Sequence, residues 1–168
     1  MSAQRVVYTA VMRLWWAMLC GAVALGCGHE PDAEDHAQEF LGEWNCASGQ
    51  REIDCGQGVV KVDLASGIPD VIRFERGTVT NLALQVPSRV VVPGVPGGPI
   101  CRLDFEALTE EAFLHAESAC TDDQGERVVI VHGSANHGYR ADTVYLDTDA
   151  TTANGCHVKN SASCYIAH

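Results

Sequence analysis

The chain has no run of apolar residues long enough to form a permanent transmembrane helix. Its apolar segment near the N-terminus, Leu14 to Gly26, takes up 13 of the 168 residues, whereas a spanning helix needs about 20. Basic residues are also scarce, with 11 lysines and arginines against 22 aspartates and glutamates. Because an acidic surface repels phosphate groups, this balance argues against nucleic acid as a partner and against direct adhesion to anionic lipid headgroups.

The common motifs of catalysis are missing too. The sequence contains no Gly-x-Ser-x-Gly, the nucleophile elbow of many hydrolases, and no Cys-x-x-Cys, which thioredoxin-like and zinc-binding sites use. Ser134 and His137 lie three residues apart among glycines, and polar residues in that setting are more typical of a turn than of a catalytic pair. We therefore predict that the protein is not an enzyme.

Metal-binding patterns are likewise absent from the sequence. His132, His137 and His157 would meet only if their strands were neighbours, and no His-Glu-x-x-His spacing accompanies them. The segment Asp147 to Thr151 begins like a calcium-binding loop, but Thr152 follows where such a loop needs glycine. We predict no metal site and no cofactor.

Two arginines and the apolar segment give the N-terminus the pattern of a signal peptide. Arg5 and Arg13 are the only charged residues before Glu30, and the apolar segment follows Arg13 directly. We predict that residues 1 to 26 are removed on export. The mature chain then keeps 9 basic and 22 acidic residues, a net charge of about −13 with histidine neutral.

The end of this leader, Ala24-Leu25-Gly26-Cys27, resembles the lipobox of bacterial lipoproteins, with alanine at a position where that family usually has leucine. The resemblance implies cleavage between Gly26 and Cys27, a diacylglycerol on the Cys27 sulfur and a further acyl group, such as palmitate, on the new amino terminus. Several acyl chains bind a membrane durably. Gly28, rather than aspartate, follows the cysteine, so the family's pattern favours the outer membrane over the inner one.

A second cleavage site remains open. Ala22-Val23-Ala24 fits ordinary signal peptidase, which would cut after Ala24 and release a soluble secreted protein. The number of cysteines favours the lipid anchor, because the seven beyond the leader cannot all pair within one chain, whereas six remain once Cys27 is acylated. Their proximity along the chain predicts sequential disulfides in an oxidising compartment, namely Cys46 with Cys55, Cys101 with Cys120, and Cys156 with Cys164.

Beyond Cys27 the composition predicts a tether followed by a β domain. Residues 27 to 39 contain five acids and no bulky apolar side chain, which is typical of a flexible linker. From residue 40 to 168, short runs rich in Val, Ile, Thr and aromatics alternate with Gly, Asp, Asn and Pro. We predict an all-β fold, a small antiparallel meander barrel or sandwich of about eight strands. The expected strands are 40–46, 58–64, 71–76, 79–86, 100–107, 112–119, 127–132 and 141–146, with a closing hairpin over 156–166.

Two further resemblances bear on function. Gly42-Glu43-Trp44 resembles the opening of the first strand in lipocalin-type barrels, whose tryptophan plugs one end. The region from Leu41 to Cys164 resembles the short, cysteine-paired, β-rich lipoproteins of unknown function found in Gram-negative bacteria. The expectation is a lipid-anchored exported protein with a structural or binding role, whose partner is an unknown protein or a small apolar ligand.

Three alternatives stay open at this point. A lipocalin-like carrier would need an apolar cavity, whereas an interior filled by its own side chains would favour a structural domain. A small protease inhibitor would use the exposed loop from Pro93 to Pro99 as its contact. A hydrolase or metalloprotein would have to assemble its site from scattered residues.

Overall fold

The computed structural model describes residues 33–64 and 70–167. The leader, the lipobox and Cys27 lie outside the described residues, so their roles stay predictions. No helix within the described ranges is long and apolar enough to cross a membrane. The elements are α1 (Ala33–Phe40), β1 (Gly42–Asp54), β2 (Val59–Asp63), β3 (Asp70–Arg76), β4 (Leu82–Pro87), α2 (Ser88–Val91), β5 (Ile100–Ala107), β6 (Glu111–Leu114), β7 (Ser118–Thr121), β8 (Arg127–His137), β9 (Thr143–Thr152) and β10 (His157–Ile166).

Eight of the strands form a closed antiparallel barrel. Strands β1, β3, β4, β5, β6, β8, β9 and β10 pair in that order, and β10 pairs back onto β1. The two other strands are additions to this barrel: β2 pairs with the second half of β1, and β7 pairs with the first part of β8. The predicted all-β meander is confirmed, and of the two predicted architectures it is the barrel.

The barrel forms because its strands alternate between apolar and polar residues. In β5, Cys101, Leu103 and Phe105 are buried inside the barrel, while Arg102 and Glu106 face outward. A period of two residues puts successive side chains on opposite faces of a strand, so one face becomes core and the other stays wet. The structure places β5 at the same bounds as the sequence predicts.

Helix α1 closes the end of the barrel where β1 begins, which we call the helix end. Phe40 and Trp44 are both buried there, and Trp44 Nε1 donates a hydrogen bond to the Phe40 carbonyl oxygen at 2.8 Å. The tryptophan thus lies at one end of the barrel, as the lipocalin resemblance implies. The prediction of a flexible linker was wrong for residues 33–39, because Ala37 and Phe40, three residues apart, give this acidic segment one apolar side that packs on the barrel.

Helix α2 lies at the opposite end, which we call the loop end. Val90, Val91 and Val92 are buried in the core there. Arg51 on β1 donates hydrogen bonds to Asn160 Oδ1 at 2.6 Å and to the Arg89 carbonyl oxygen at 2.5 Å. This end is therefore closed by a short helix whose carbonyl groups are bound by side chains from the barrel wall.

Three disulfides join the six cysteines, and two of them are not the pairs predicted. Cys101 and Cys120 are bonded as predicted, but Cys46 bonds Cys164 and Cys55 bonds Cys156. Sequential pairing was wrong for these four cysteines because β1 and β10, the first and last strands, are neighbours, with Cys46 directly opposite Cys164. At the loop end, Cys55 directly follows β1 and Cys156 directly precedes β10, so the second bond joins the same two strands.

Several predicted strand limits also needed correction. Residues 156–166 are not a hairpin, since β10 is one continuous strand from His157 to Ile166. The single strand predicted over 112–119 is split into β6 and β7. Strand β8 continues past His132 to His137, where the sequence predicts a turn.

Candidate functional site

The possible catalytic pair, Ser134 and His137, does not come together. Both lie on β8, but they are three residues apart and so point to opposite faces of the strand. Ser134 faces outward, opposite Asp147 of β9. The ring of His137 faces the helix end, where its centroid lies 4.5 Å from that of Phe40. This geometry allows no proton transfer between the two side chains.

The possible metal ligands are also kept apart. Within residues 33–64 and 70–167, no three His, Cys, Asp or Glu side chains are grouped as metal ligands. His132 on β8 stands opposite Asp149, whereas His157 on β10 stands opposite Thr151. The segment resembling a calcium loop is part of β9, and an extended strand sends Asp147 and Thr148 to opposite faces.

The outer wall of the barrel near the helix end carries a different cluster. We define the tyrosine face as Tyr139, Tyr145 and Tyr165 with Asn45, Asn136 and Ser163. Tyr145 and Tyr165 are 44% and 46% exposed, and Tyr139 in the β8–β9 turn is fully exposed. Every tyrosine among the described residues therefore lies in this one area of the surface.

The strand register pairs each wall tyrosine with an asparagine. Tyr145 of β9 is directly opposite Asn136 of β8, and Tyr165 of β10 is directly opposite Asn45 of β1. Ser163 lies between the two pairs, since it stands opposite Tyr145 and two residues before Tyr165. Directly opposite side chains have Cβ atoms about 5 Å apart and diagonal ones about 7–8 Å apart. The two Asn–Tyr pairs are thus diagonal neighbours on one surface.

The polar side-chain groups of the tyrosine face make no hydrogen bond with the part of the chain that the structure describes. The side-chain amides of Asn45 and Asn136 make no hydrogen bond with any described residue. All six side chains are uncharged, although the whole chain has twice as many acids as bases. The centre of this surface is therefore aromatic and uncharged, with free donors and acceptors, while Glu43 and Asp147 flank it on β1 and β9.

A cleft of about 540 Å³ adjoins the tyrosine face at Tyr139. Its other lining residues include Glu39, Glu110 and His137. The Nε2 atom of His137 is buried and makes no hydrogen bond within the described part of the chain. Two carboxylates therefore line the cleft beside the uncharged side chains of the tyrosine face.

The tyrosine face was not predicted from the sequence. The alternation of polar and apolar residues along β9 and β10 indicates that Tyr145 and Tyr165 face outward. Only the pairing of β8 with β9 and of β10 with β1 brings the asparagines beside them. The signal available in the sequence was the position of the tyrosines: apart from Tyr8 in the leader, all of them follow residue 138.

No protein-family model matches the chain, and no curated protein matches it. Among solved structures, a redesigned β-barrel is similar at a TM-score of 0.39 and 12% identity, over 79% of this chain and 96% of that chain.

Proposed function

We propose that this chain is a non-enzymatic exported protein, held at the cell envelope by acyl chains on Cys27, and that its barrel is a binding domain whose contact surface is the tyrosine face. The proposal combines the lipobox at residues 24–27 with the neutral aromatic surface at the helix end. Each part has its own support and its own test.

The disulfides support export and the lipid anchor. All six cysteines of the described residues are bonded to one another, so none of them is left as a partner for Cys27. Disulfides persist in oxidising compartments, which lie outside the cytoplasm. An unpaired seventh cysteine at the end of a signal peptide is what the lipoprotein pathway uses. This cysteine count is the observation that carries the proposal.

The occupied interior argues against the alternative of a lipocalin-like carrier. Phe74 lies between Phe40 and Phe105, with ring centroids 5.7 and 6.3 Å apart. Helix α1, which ends at Phe40, closes one end of the barrel, and helix α2 with Arg51 closes the other. An apolar ligand would need a cavity where these side chains pack against one another.

The exposed wall is a better candidate for binding than the interior. Tyrosine supplies a large, rigid contact area and also a polar hydroxyl, whereas asparagine and serine supply adaptable hydrogen bonds. Tyrosine is enriched in binding surfaces, and charged side chains are depleted at their centres. The tyrosine face has this composition on a protein that is otherwise strongly acidic.

Mass spectrometry of the intact mature protein tests the anchor. We expect a chain that begins at Cys27, with the added mass of a diacylglycerol and an amide-linked acyl group, and with six hydrogens fewer because of three disulfides. Extraction with a phase-separating detergent should then send the protein to the detergent phase.

The matched variant for this test is Cys27→Ser. It should lose the added lipid mass and move to the aqueous phase, whereas Cys20→Ser, inside the leader, should leave both unchanged. A wild-type chain that begins at Leu25 without lipid would overturn the anchor and favour the secreted soluble form.

A further inference from the structure

We propose that the tyrosine face binds a neutral oligosaccharide, with Tyr145 and Tyr165 stacking on two successive sugar rings of one chain. This inference rests on the proposed function, because it names the ligand of the same surface. It follows from four properties of the face: its rings are exposed, its side-chain amides are unengaged, its six side chains carry no charge, and the Asn–Tyr pair is repeated.

The exposed rings suit the apolar face of a sugar. A pyranose ring has a face made of C–H groups, and their slight positive charge is attracted by the negative face of an aromatic ring. Tyr145 and Tyr165 stand outward on neighbouring strands, each a little less than half exposed. The backbone of both tyrosines is fixed in the barrel wall, so little conformational entropy is lost when a ligand packs on the rings.

The asparagines suit the sugar hydroxyls. A hydroxyl both donates and accepts hydrogen bonds, and a side-chain amide offers both functions on one planar group. Asn136 stands directly opposite Tyr145, and Asn45 directly opposite Tyr165. Because neither amide is bonded within the described residues, a sugar would displace only water from them.

Charge selects for a neutral ligand. An anionic polymer would be repelled by a mature chain with a net charge of about −13. A cationic one would find its counter-charges at Glu39 and Glu110 in the cleft and at Glu43 and Asp147 on the margins of the wall, rather than between the two Asn–Tyr pairs. Charged side chains flank the face at Glu43 on β1 and Asp147 on β9, but between the two Asn–Tyr pairs lies only Ser163, so an uncharged polyhydroxyl compound fits the centre of the face best.

The repeated Asn–Tyr pair selects for a chain of sugars over a single one. The two pairs are related diagonally across β9 and β10, about 7–8 Å apart, with Ser163 between them. One monosaccharide would occupy a single pair. A linked chain would occupy both, and joining two weak contacts in one molecule raises the overall affinity.

Native affinity electrophoresis of the purified mature protein tests this inference. The gels would contain hydroxyethyl cellulose, galactomannan, dextran or glycol chitin as neutral polymers, and alginate as the anionic one, with a polyoxyethylene detergent throughout. We expect retardation by at least one neutral polymer and none by alginate. Short oligosaccharides of the retarding polymer should compete, and the dimer or trimer should do so at lower concentration than the monosaccharide.

Variants connect the retardation to the face. Tyr145→Ala and Tyr165→Ala should each weaken binding about tenfold, since each removes one stacking ring. Tyr145→Phe, which keeps the ring, should bind nearly as well as the wild type. Phe113→Ala is the matched control, because Phe113 is also an exposed outward aromatic but stands on β6, two strands from Tyr145. Unchanged thermal unfolding would show that each variant is folded.

Two results would overturn the inference. One is the absence of retardation by all four neutral polymers. The other is retardation that Tyr145→Ala and Tyr165→Ala leave unchanged. In either case the lipid mass on Cys27 is measured separately, so the loss of this ligand assignment is distinguishable from a failure of the anchor.

Discussion

Arg51 brings a positive charge into the interior of the barrel, where only 6% of the residue is exposed. Burial lowers the pKa of Arg51 to about 10, and the negative charge of Asp70 opposes this shift. The guanidinium is therefore still charged at neutral pH. Its hydrogen bonds to Asn160 Oδ1 and to the Arg89 carbonyl oxygen offset part of the cost of removing it from water.

Asn160 completes this buried network. Its Nδ2 group donates to the Val91 carbonyl oxygen at 2.5 Å and to Thr148 Oγ1 at 3.2 Å. The amide thus joins β10 to β9 and to helix α2, while its oxygen holds the cation. Because every polar group of Asn160 is used, we expect the two residues to act as one unit.

A double-mutant cycle measures that coupling. Asn160→Leu alone should lower the free energy of unfolding by ~3–5 kcal/mol, because it leaves a buried cation with one acceptor fewer. Arg51→Met alone should lower it by ~1–3 kcal/mol, since it leaves two carbonyl-type acceptors unpaired. The double variant should be less destabilised than the sum of the two by at least ~1 kcal/mol.

Equilibrium unfolding in guanidinium chloride, with the disulfides intact, gives these free energies. The control is Arg73→Met, an arginine on the outer face of β3, which should change stability by ~0.5 kcal/mol or less. Strictly additive effects of Arg51→Met and Asn160→Leu would show that the network is not a unit.

At the scale of elements, the pairing of β1 with β10 is the main closure of the fold. Two disulfides cross this pair, and they connect residues 118 and 101 positions apart in the chain. Once either bond has formed, the other closes a ring of only about 20 residues, because both join the same two strands. The presence of one bond therefore greatly shortens the loop that the other bond closes.

This geometry predicts that the two disulfides are not additive. Replacing both cysteines of either bond by alanine should lower the free energy of unfolding by ~3 kcal/mol, whereas removing both bonds should lower it by ~8 kcal/mol, more than twice either single effect. The physical reason is that the last remaining bond carries the entropy of the long loop. Calorimetry or denaturant unfolding of the three variants provides the comparison.

The third disulfide supplies the control. Cys101 and Cys120 are 19 positions apart and do not join β1 to β10, so their removal should cost ~3 kcal/mol and add simply to the loss of either other bond. Equal, additive effects for all three disulfides would contradict the shared-loop account.

The elements differ in how far the sequence predicts them. Strand β5 was predicted at its observed bounds because its residues alternate cleanly from Cys101 to Ala107. Strand β8 was predicted too short because Gly133 interrupts the pattern. In the structure a Cβ at Gly133 would lie 3.0 Å from Phe105 Cζ, so the glycine leaves room for a core ring rather than making a turn.

For the disulfides and the tyrosine face, prediction from the sequence was limited by contacts between residues far apart in the chain. Spacing along the chain predicted Cys101 with Cys120 because their strands are close in sequence. It failed for Cys46 and Cys164 because that bond depends on β10 returning to β1, which only the closed barrel produces. The pairing of Asn45 with Tyr165 depends on the same closure, so no local pattern could have indicated it.

At the scale of the whole molecule, the buried side chains of the described residues form one hydrophobic core inside the barrel. Phe105 is fully buried, and its ring makes an edge contact with Phe74 at 6.3 Å. We predict that Phe105→Ala lowers the free energy of unfolding by ~3–5 kcal/mol, since the surrounding side chains cannot fill the space it leaves.

Phe113→Ala is the matched control for this substitution, because it removes the same side chain from the outer wall, where Phe113 is 38% exposed. It should cost ~1 kcal/mol or less. If Phe105→Ala cost no more than Phe113→Ala, the interior would have to be loosely filled, and the carrier alternative would regain support.

The covalent link between the first and last strands also determines what happens when the backbone is cut. The Pro93–Pro99 loop is largely exposed, and exposed loops are the usual sites of proteolytic nicking. After a cut there, Cys46 and Cys55 would lie on the N-terminal fragment, and Cys156 and Cys164 on the C-terminal one. The disulfides Cys46–Cys164 and Cys55–Cys156 would therefore still join the two fragments. A nicked molecule would remain a single covalent body, with neither half lost to the surroundings.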